Sequence, residues 1–482
     1  MILENIPSVA YFYPEIIICI GILSLLVISV FKDMHQKSFI ISLVTIFICS
    51  IPVLITFNQY NILFLGNIVI DPYSNFFKLI FLFTLAVVVI LSYYDKDVER
   101  SDWPEYFSLL LIATLGMFLM SSSVNLLMIY LAIELVSIPS YILAGFNHND
   151  KSSNEASLKY VLYGSFASGL MLFGMSWIYG QTGSLYFSDI KGMLMFLGEK
   201  GSLSSTIAFI FLFAGFGYKI SSAPFHYWVP DVYQGAPTPI TAFFSVAPKI
   251  AGISLLIRFL YFVLSQGAIS SIYVDWNLIL SVLSALTMTI GNLLAIRQSN
   301  VKRILAYSSI SHIGFIMMTF AVISPDSIIH AIFYIVMYMF MTLGAFSVLI
   351  YFYNTYKFNS VDDWSGIGYV HPFICSFMVI NLVALAGLPP TSGFVAKFYI
   401  FATIIESRTY YWLAIVAIIN TVISLYYYFN LVRSMFLEKK SEVKYQKPDL
   451  VISSLIIFTS VQGIFFYVYW PDLYELIKGL IN

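Results

Sequence analysis

The sequence predicts an all-α membrane protein that crosses the bilayer many times, and three observations predict it. Of 482 residues, 60% are apolar, 18% aromatic and only 10% charged, where a soluble domain carries about a quarter charged residues. Apolar runs such as "EIIICIGILSLLVISVF", "FFKLIFLFTLAVVVILSYY" and "LVISSLIIFTSVQGIFFYVYW" recur from end to end. Each is close to the ~18–20 residues a helix needs to span the hydrocarbon core. Most of the charge lies between the runs.

Taken in order, the segments are expected at 13–31, 38–57, 72–93, 105–122, 125–146, 156–180, 203–221, 237–264, 276–296, 301–323, 327–353, 371–404, 410–432 and 449–470. These fourteen put both termini on one side. Fourteen basic residues, from Lys32 to Lys447, fall in loops after odd-numbered segments, against Lys191, Lys200, Arg408 and Lys478 on the other face. Cytoplasmic loops carry the excess of Lys and Arg, so both termini are expected on the non-cytoplasmic side.

Several function classes drop out. The N-terminus "MILENIPSVAYFYPE" lacks a basic n-region, so the first apolar segment is expected to be a retained helix. Cys19, Cys49 and Cys375 stand singly inside apolar runs; that spacing ligates no iron–sulfur cluster and attaches no haem. Neither GxGxxG nor a P-loop is present. No cluster has metal-ligand spacing, a net charge of −1 says nothing of partners, and no nucleic-acid partner is expected.

Charge inside the segments is rare and costs at least ~2.5–3.5 kcal/mol per residue at the bilayer centre. Six basic residues lie there: Lys78, Lys159, Lys219, Lys249, Arg258 and Lys397. Of the acids, only Glu134 is near the middle of a segment. Lys78 and Arg258 sit within about two turns of a segment end and are expected to snorkel. Glu134, Lys219, Lys249 and Lys397 lie deep or beside prolines, the alternative to a proton route being a structural ion pair.

Pro224 follows Lys219, Pro248 precedes Lys249, and "AGLPPTSGF" precedes Lys397. Proline removes a helical donor and frees a carbonyl one turn back. Irregular backbone at membrane depth survives only when buried in protein or lining a hydrated cavity. Breaks are therefore expected in the seventh and twelfth helices, beside an ion or proton path. The charged positions also repeat: Lys159 and His330 are 171 residues apart, Ala214-Gly215 and Ala386-Gly387 172 apart, His226 and Lys397 171 apart. With five spans per unit, the two copies would be inverted, as in many ion-coupled transporters. The expected organisation is a three-helix segment at 1–104, repeats at 105–264 and 276–432, and a final helix at 449–482.

The stretch "KISSAPFHYWVPDVYQGAPTPITAFFSVAPKIAG", with "NVKRILAYSSISHIGF" and "LAGLPPTSGFVAKF", resembles the antiporter-like membrane subunits of respiratory complex I, the proton-pumping NADH:quinone oxidoreductase. The run "PDVYQGAPTPITAFFSVAPK" looks like the subunit N branch rather than L or M, and the length agrees, since L carries a long extra C-terminal helix. The resemblance covers nearly the whole chain. It implies a proton-translocating membrane-arm subunit with no cofactor of its own. Flavin, iron–sulfur clusters and quinone would belong to partner subunits, and further antiporter-like subunits would be among its neighbours in the lipid bilayer. The family's fifth-helix glutamate falls on Glu134, its seventh-, eighth- and twelfth-helix lysines on Lys219, Lys249 and Lys397, and a basic position of subunit N on Lys159. The implied location is a bacterial inner membrane, an organellar one being also open.

Lysine suits such a path, because burial penalises its ammonium while a nearby carboxylate favours it. Glu134 is expected to hold Lys219 protonated and, when the pair opens, to let the proton pass to Lys249 and on to Lys397. His226 and His312 are further relay candidates, and His330 a third, against structural roles in fixing their loops or helices. His35, His148 and His371 are expected to be solvated, and the tyrosines and tryptophans to form interfacial belts. A sodium/proton antiporter subunit sharing this fold is the rival reading, and a membrane scaffold without pumping a third.

Overall fold

The computed structural model describes residues 2–197, 202–263, 275–438 and 443–481; Lys200, Lys439 and Lys440 of the charge census lie outside them. Nearly all the described residues are helical. Among them, twelve helices are long and apolar enough to cross a membrane, with two shorter apolar helices, Tyr13–Ser29 and Pro372–Ala386. The chain is a multi-pass membrane protein.

The chain opens with α1 (Ile2–Val9), α2 (Tyr13–Ser29) and α3 (Ser38–Ile55), then a short antiparallel ribbon of β1 (Asn61–Leu63) and β2 (Ile68–Ile70). Next come α4 (Pro72–Tyr94), α5 (Trp103–Ser122), α6 (Leu126–Ala144), α7 (Lys151–Thr182) and α8 (Phe187–Leu197). The centre holds α9 (Ser202–Ile220), α10 (Val229–Gly235), α11 (Thr238–Val263), α12 (Trp276–Ala295), α13 (Val301–Met317) and α14 (Pro325–Tyr356). After the single turn of α15 (Ile367–Val370) follow α16 (Pro372–Ala386), α17 (Ser392–Glu406), α18 (Tyr411–Leu437), α19 (Leu450–Phe465) and α20 (Trp470–Gly479).

Local chemistry sets the helix starts. Asp71 caps α4, accepting from Ser74 N at 2.7 Å, with Pro72 in the first turn. Ser324 and Ser327 form the same reciprocal cap at α14, with Pro325 next. Both satisfy donors that no helical carbonyl can reach. Helices α11, α13 and α14 are buried along almost their whole length, whereas α3, α7, α18 and α19 expose Phe47, Leu162, Ile415 and Phe458. Polar side chains therefore collect around the buried helices and apolar ones face outward, as a bilayer requires.

Two sequence expectations fail here. Lys78 and Arg258 do not snorkel. Lys78 Nζ lies 2.6 Å from Glu15 on α2, both fully buried, and Arg258 grips Asp71 with two bonds of 2.9 Å while its Nε donates to Ser121 O. Folding brought a carboxylate to each cation, which removes the drive to reach water. Asp71→Asn leaves the Arg258 guanidinium buried without its counter-charge, at a cost of about 3–5 kcal/mol; detergent-solubilised protein should melt well below the unmodified chain in a fluorescence unfolding assay. His371 is not solvated either. It is 2% exposed and bonds Tyr356 OH at 2.6 Å.

Candidate functional site

Helix α9 stops at Ile220 and α10 begins at Val229, so Lys219 stands in the last turn before an interruption. Ser222 N donates to Gly217 O at 2.8 Å, and Ala223 N reaches across to Thr287 Oγ1 on α12 at 3.0 Å. These bonds satisfy backbone that a continuous helix would have satisfied. Gly252 on α11 leaves room for the Lys219 stem: a Cβ there would come within 3.4 Å of Lys219 Cγ and 2.8 Å of Ile220.

Lys219 Nζ donates to Ser137 Oγ on α6 at 3.1 Å. Glu134 lies three residues before Ser137 on the same helix, one turn away, and its Oε1 accepts from Ser168 Oγ of α7 at 2.5 Å. Lysine and carboxylate are thus near one another without an ion pair; the lysine bonds the Ser137 hydroxyl, which donates to Ile133 O at 2.7 Å, and the carboxylate bonds Ser168. In place of the direct pair expected from the sequence, each group bonds its own serine.

Lys249 is 1% exposed in the middle of α11 and donates to Ser309 Oγ of α13 at 2.6 Å, with the Tyr233 ring 5.3 Å away. The helix continues through Pro248; Tyr338 OH donates to the Ser245 carbonyl nearby at 3.0 Å. His312 follows Ser309 by three residues and is held between Tyr334 OH at 2.7 Å and Tyr428 OH at 3.2 Å. Three residues further, the Phe315 ring carries Lys397 Nζ at 4.7 Å. Positions 309, 312 and 315 share one face of α13, so that face joins Lys249 to Lys397.

Lys397 itself closes the second interruption. The segment expected at 371–404 is divided into α16 and α17, with 387–391 between them. Gly387 ends α16 at φ +80, and Leu388 N donates to Val383 O at 3.2 Å, a left-handed C-cap. Lys397 Nζ donates to Ala386 O at 2.9 Å and Leu385 O at 3.3 Å. Unsatisfied carbonyls and the negative end of the α16 dipole are what an ammonium prefers. Lys302, counted from sequence with the loop cations, repeats the device. It is 6% exposed and donates to Ala236 O, at the end of α10, at 3.2 Å.

The remaining candidates stand apart. Lys159 joins a partly exposed ionic cluster, 2.7 Å from Glu155 and 2.6 Å from Asp231, which also pairs with Arg303 at 2.7 Å. His226 is 1% exposed between the two helices, its ring stacked on Tyr227 at 4.4 Å and its nitrogens without a protein partner. Sequence reasoning missed Ser137, Ser168, Ser309, Tyr334 and Tyr428. Ser137 and Ser309 carried a signal, standing one turn from Glu134 and His312. The tyrosines were assigned to interfacial belts, and only the fold reveals them as buried hydrogen-bonding groups.

Residues 123–424 match the family described as NADH:quinone oxidoreductase/Mrp antiporter, TM. NADH-quinone oxidoreductase subunit N 2 of Sorangium cellulosum is 39% identical, over 100% of this chain and 98% of that protein. The protein of the same description from Chloroherpeton thalassium is 41% identical over 84% and 81%. A chain of respiratory complex I from Thermus thermophilus superposes with a TM-score of 0.80 at 26% identity, over 96% of this chain and 99% of that one. A chain of the Mrp complex from Dietzia superposes at 0.85 with 18% identity, a likeness of fold. The chain belongs to the NADH:quinone oxidoreductase/Mrp antiporter membrane family, and within it to the subunit N relatives.

Proposed function

We propose that the chain is a membrane-arm subunit of an NADH:quinone oxidoreductase and forms one transmembrane proton route, driven by quinone reduction elsewhere in the complex. The observation that carries this reading is the run of titratable groups spaced by hydroxyls, half-buried at Glu134 and buried at the rest: Glu134, Ser137 and Lys219, then Lys249, Ser309 and His312, then Lys397. A membrane charge with no task is disfavoured, and a proton path needs such groups within reach of small rearrangements. Lys219 takes a proton while Glu134 is close and gives it up when the two move apart. Lys249 hands it along the Ser309–His312 face, and Lys397 receives it at the end of α16. His226 would serve as a neutral donor and acceptor in the first interruption, and Lys159 would bias charge at its edge.

The same reading has fourteen crossings, the two apolar helices under full length included, and inverted repeats at 105–264 and 276–432. These are flanked by 1–104 and 449–482. It places both termini on the non-cytoplasmic side of a bacterial inner membrane. Flavin, iron–sulfur clusters and quinone reside in partner subunits, among them further antiporter-like subunits. The subunit N relatives favour this over a sodium/proton antiporter.

Two measurements test it. A tagged chain extracted in mild detergent should bring NADH dehydrogenase activity with it; recovery without that activity would favour the antiporter. Single cysteines at Lys447 and Lys478 should react with an impermeant maleimide only from the cytoplasmic side and only from the opposite side, respectively. The reverse pattern would overturn the orientation.

A further inference from the structure

The route as described ends at Lys397, in the second turn of α17, and the structure holds a buried histidine beyond it. His330 lies near the start of α14, 6% exposed, with its ring stacked on Tyr399 of α17 at 4.8 Å and 13°. Its Nδ1 is 2.6 Å from Thr403 Oγ1 and its Nε2 3.4 Å from Tyr474 OH of α20. Thr403 is six residues after Lys397 on α17, a rise of about 9 Å. Outside the ring, a cleft of about 250 Å³ is lined by Tyr399, Trp470, Pro471, Tyr474 and Glu475. Exposed carboxylates flank it: Asp326 one turn earlier on α14, and Glu406 at the end of α17.

The Thr403 hydroxyl has two partners, Tyr399 O at 3.1 Å and His330 Nδ1 at 2.6 Å, so by rotating it either accepts from Nδ1–H or donates to bare Nδ1. Nε2 faces Tyr474 and the cleft. The two nitrogens of one imidazole thus address the protein interior and the outer mouth separately.

We propose that His330 is the exit relay of this subunit, passing protons from the Lys397 side to the non-cytoplasmic surface through the Tyr399–Tyr474 cleft. The inference rests on the proton-route reading above. In the step, a ring holding its hydrogen on Nε2 accepts a proton at Nδ1 by way of Thr403. The imidazolium then releases the Nε2 proton into the cleft, where Asp326 and Glu406 favour it. The ring is left in the Nδ1–H form, and exchange of tautomer resets it. One proton enters, one leaves, and no other bond changes. A histidine that served only to pack against Tyr399 would need neither a bonded Thr403 nor an outlet at Nε2.

The test uses the intact complex in inverted membrane vesicles, with assembly checked on native gels. His330→Ala should lower NADH-driven acidification roughly fivefold or more. Free imidazole, which the cleft admits, should restore at least half of the loss while leaving Lys219→Met unrestored. Normal pumping by His330→Ala, or a loss that imidazole does not relieve, overturns the proposal. If the alanine variant fails to assemble, His330→Gln decides. Its amide still reaches Thr403 but does not relay, so reduced pumping supports the assignment and normal pumping overturns it. Lys397→Met separates the two readings. Blocked pumping there beside normal pumping by the His330 variants removes the exit assignment alone; normal pumping by Lys397→Met removes the proton route as well.

Discussion

Lys219→Met should lower NADH-driven proton pumping by roughly tenfold or more while the complex still assembles. Methionine fills the volume of the lysine stem, and an apolar side chain of that length suits a buried site better than an ammonium. What is lost is the one group in the first interruption that both senses Glu134 and exchanges a proton. Lys219→Arg keeps the charge but hardly deprotonates, so it should recover only a small part of the activity. Glu134→Gln should resemble Lys219→Met, since the lysine then has no carboxylate behind Ser137 to favour its charged form. Ser137→Ala separates geometry from charge. It removes the hydroxyl that Lys219 now contacts at 3.1 Å and leaves both charges, so pumping should fall by less than in either charge variant. Acidification of inverted vesicles reads all four, and normal pumping by Lys219→Met would make the lysine a structural charge.

Gly393→Ala should do comparable damage by a different route. Gly393 is in the first turn of α17, where the chain crosses the end of α16. A Cβ there would overlap the Ala384 carbonyl and crowd Met341 Sδ at 3.1 Å. The obstacle is backbone inside a capped helix end, so the two helices must separate. Overpacking of this kind costs about 1–3 kcal/mol. It also lifts Lys397 from the Ala386 and Leu385 carbonyls it serves. Assembly on native gels should drop severalfold, and whatever assembles should pump poorly. Gly169→Ala is the matched control, because nothing lies within 4 Å of a Cβ there; it should behave like the unmodified chain. A Gly393→Ala complex with normal yield and pumping would show that α16 and α17 are free to move apart.

Much of this protein could be read from residues alone, for a definite reason. A bilayer admits few structures, so apolar runs of the right length report helices directly, and any lysine or glutamate within them stands out against its surroundings. Glu134, Lys219, Lys249 and Lys397 were visible for that reason, as were Pro224 and Pro389-Pro390 beside two of the interruptions. Pro248 makes no interruption, because a long helix packed on both sides absorbs one missing hydrogen bond: α11 runs on through it. Lys78 and Arg258 misled. Their partners Glu15 and Asp71 stand at the start of helices 63 and 187 residues away in sequence, and no local pattern announces such a pairing.

The sequence by itself therefore determined the class of the molecule, the order of its helices and which charges are exceptional, since those follow from composition and spacing along one strand of chain. Only the tertiary structure decided what each charge touches. It gave Lys219 a hydroxyl from α6 and Lys249 one from α13, set Lys397 on the carbonyl end of α16 and moved Lys159 to an ionic cluster at the edge. Hydroxyls and tyrosines are common enough in any membrane helix to carry no signal of their own. They become a path only when helix packing brings them within hydrogen-bond distance of a buried charge, and that distance is set in three dimensions.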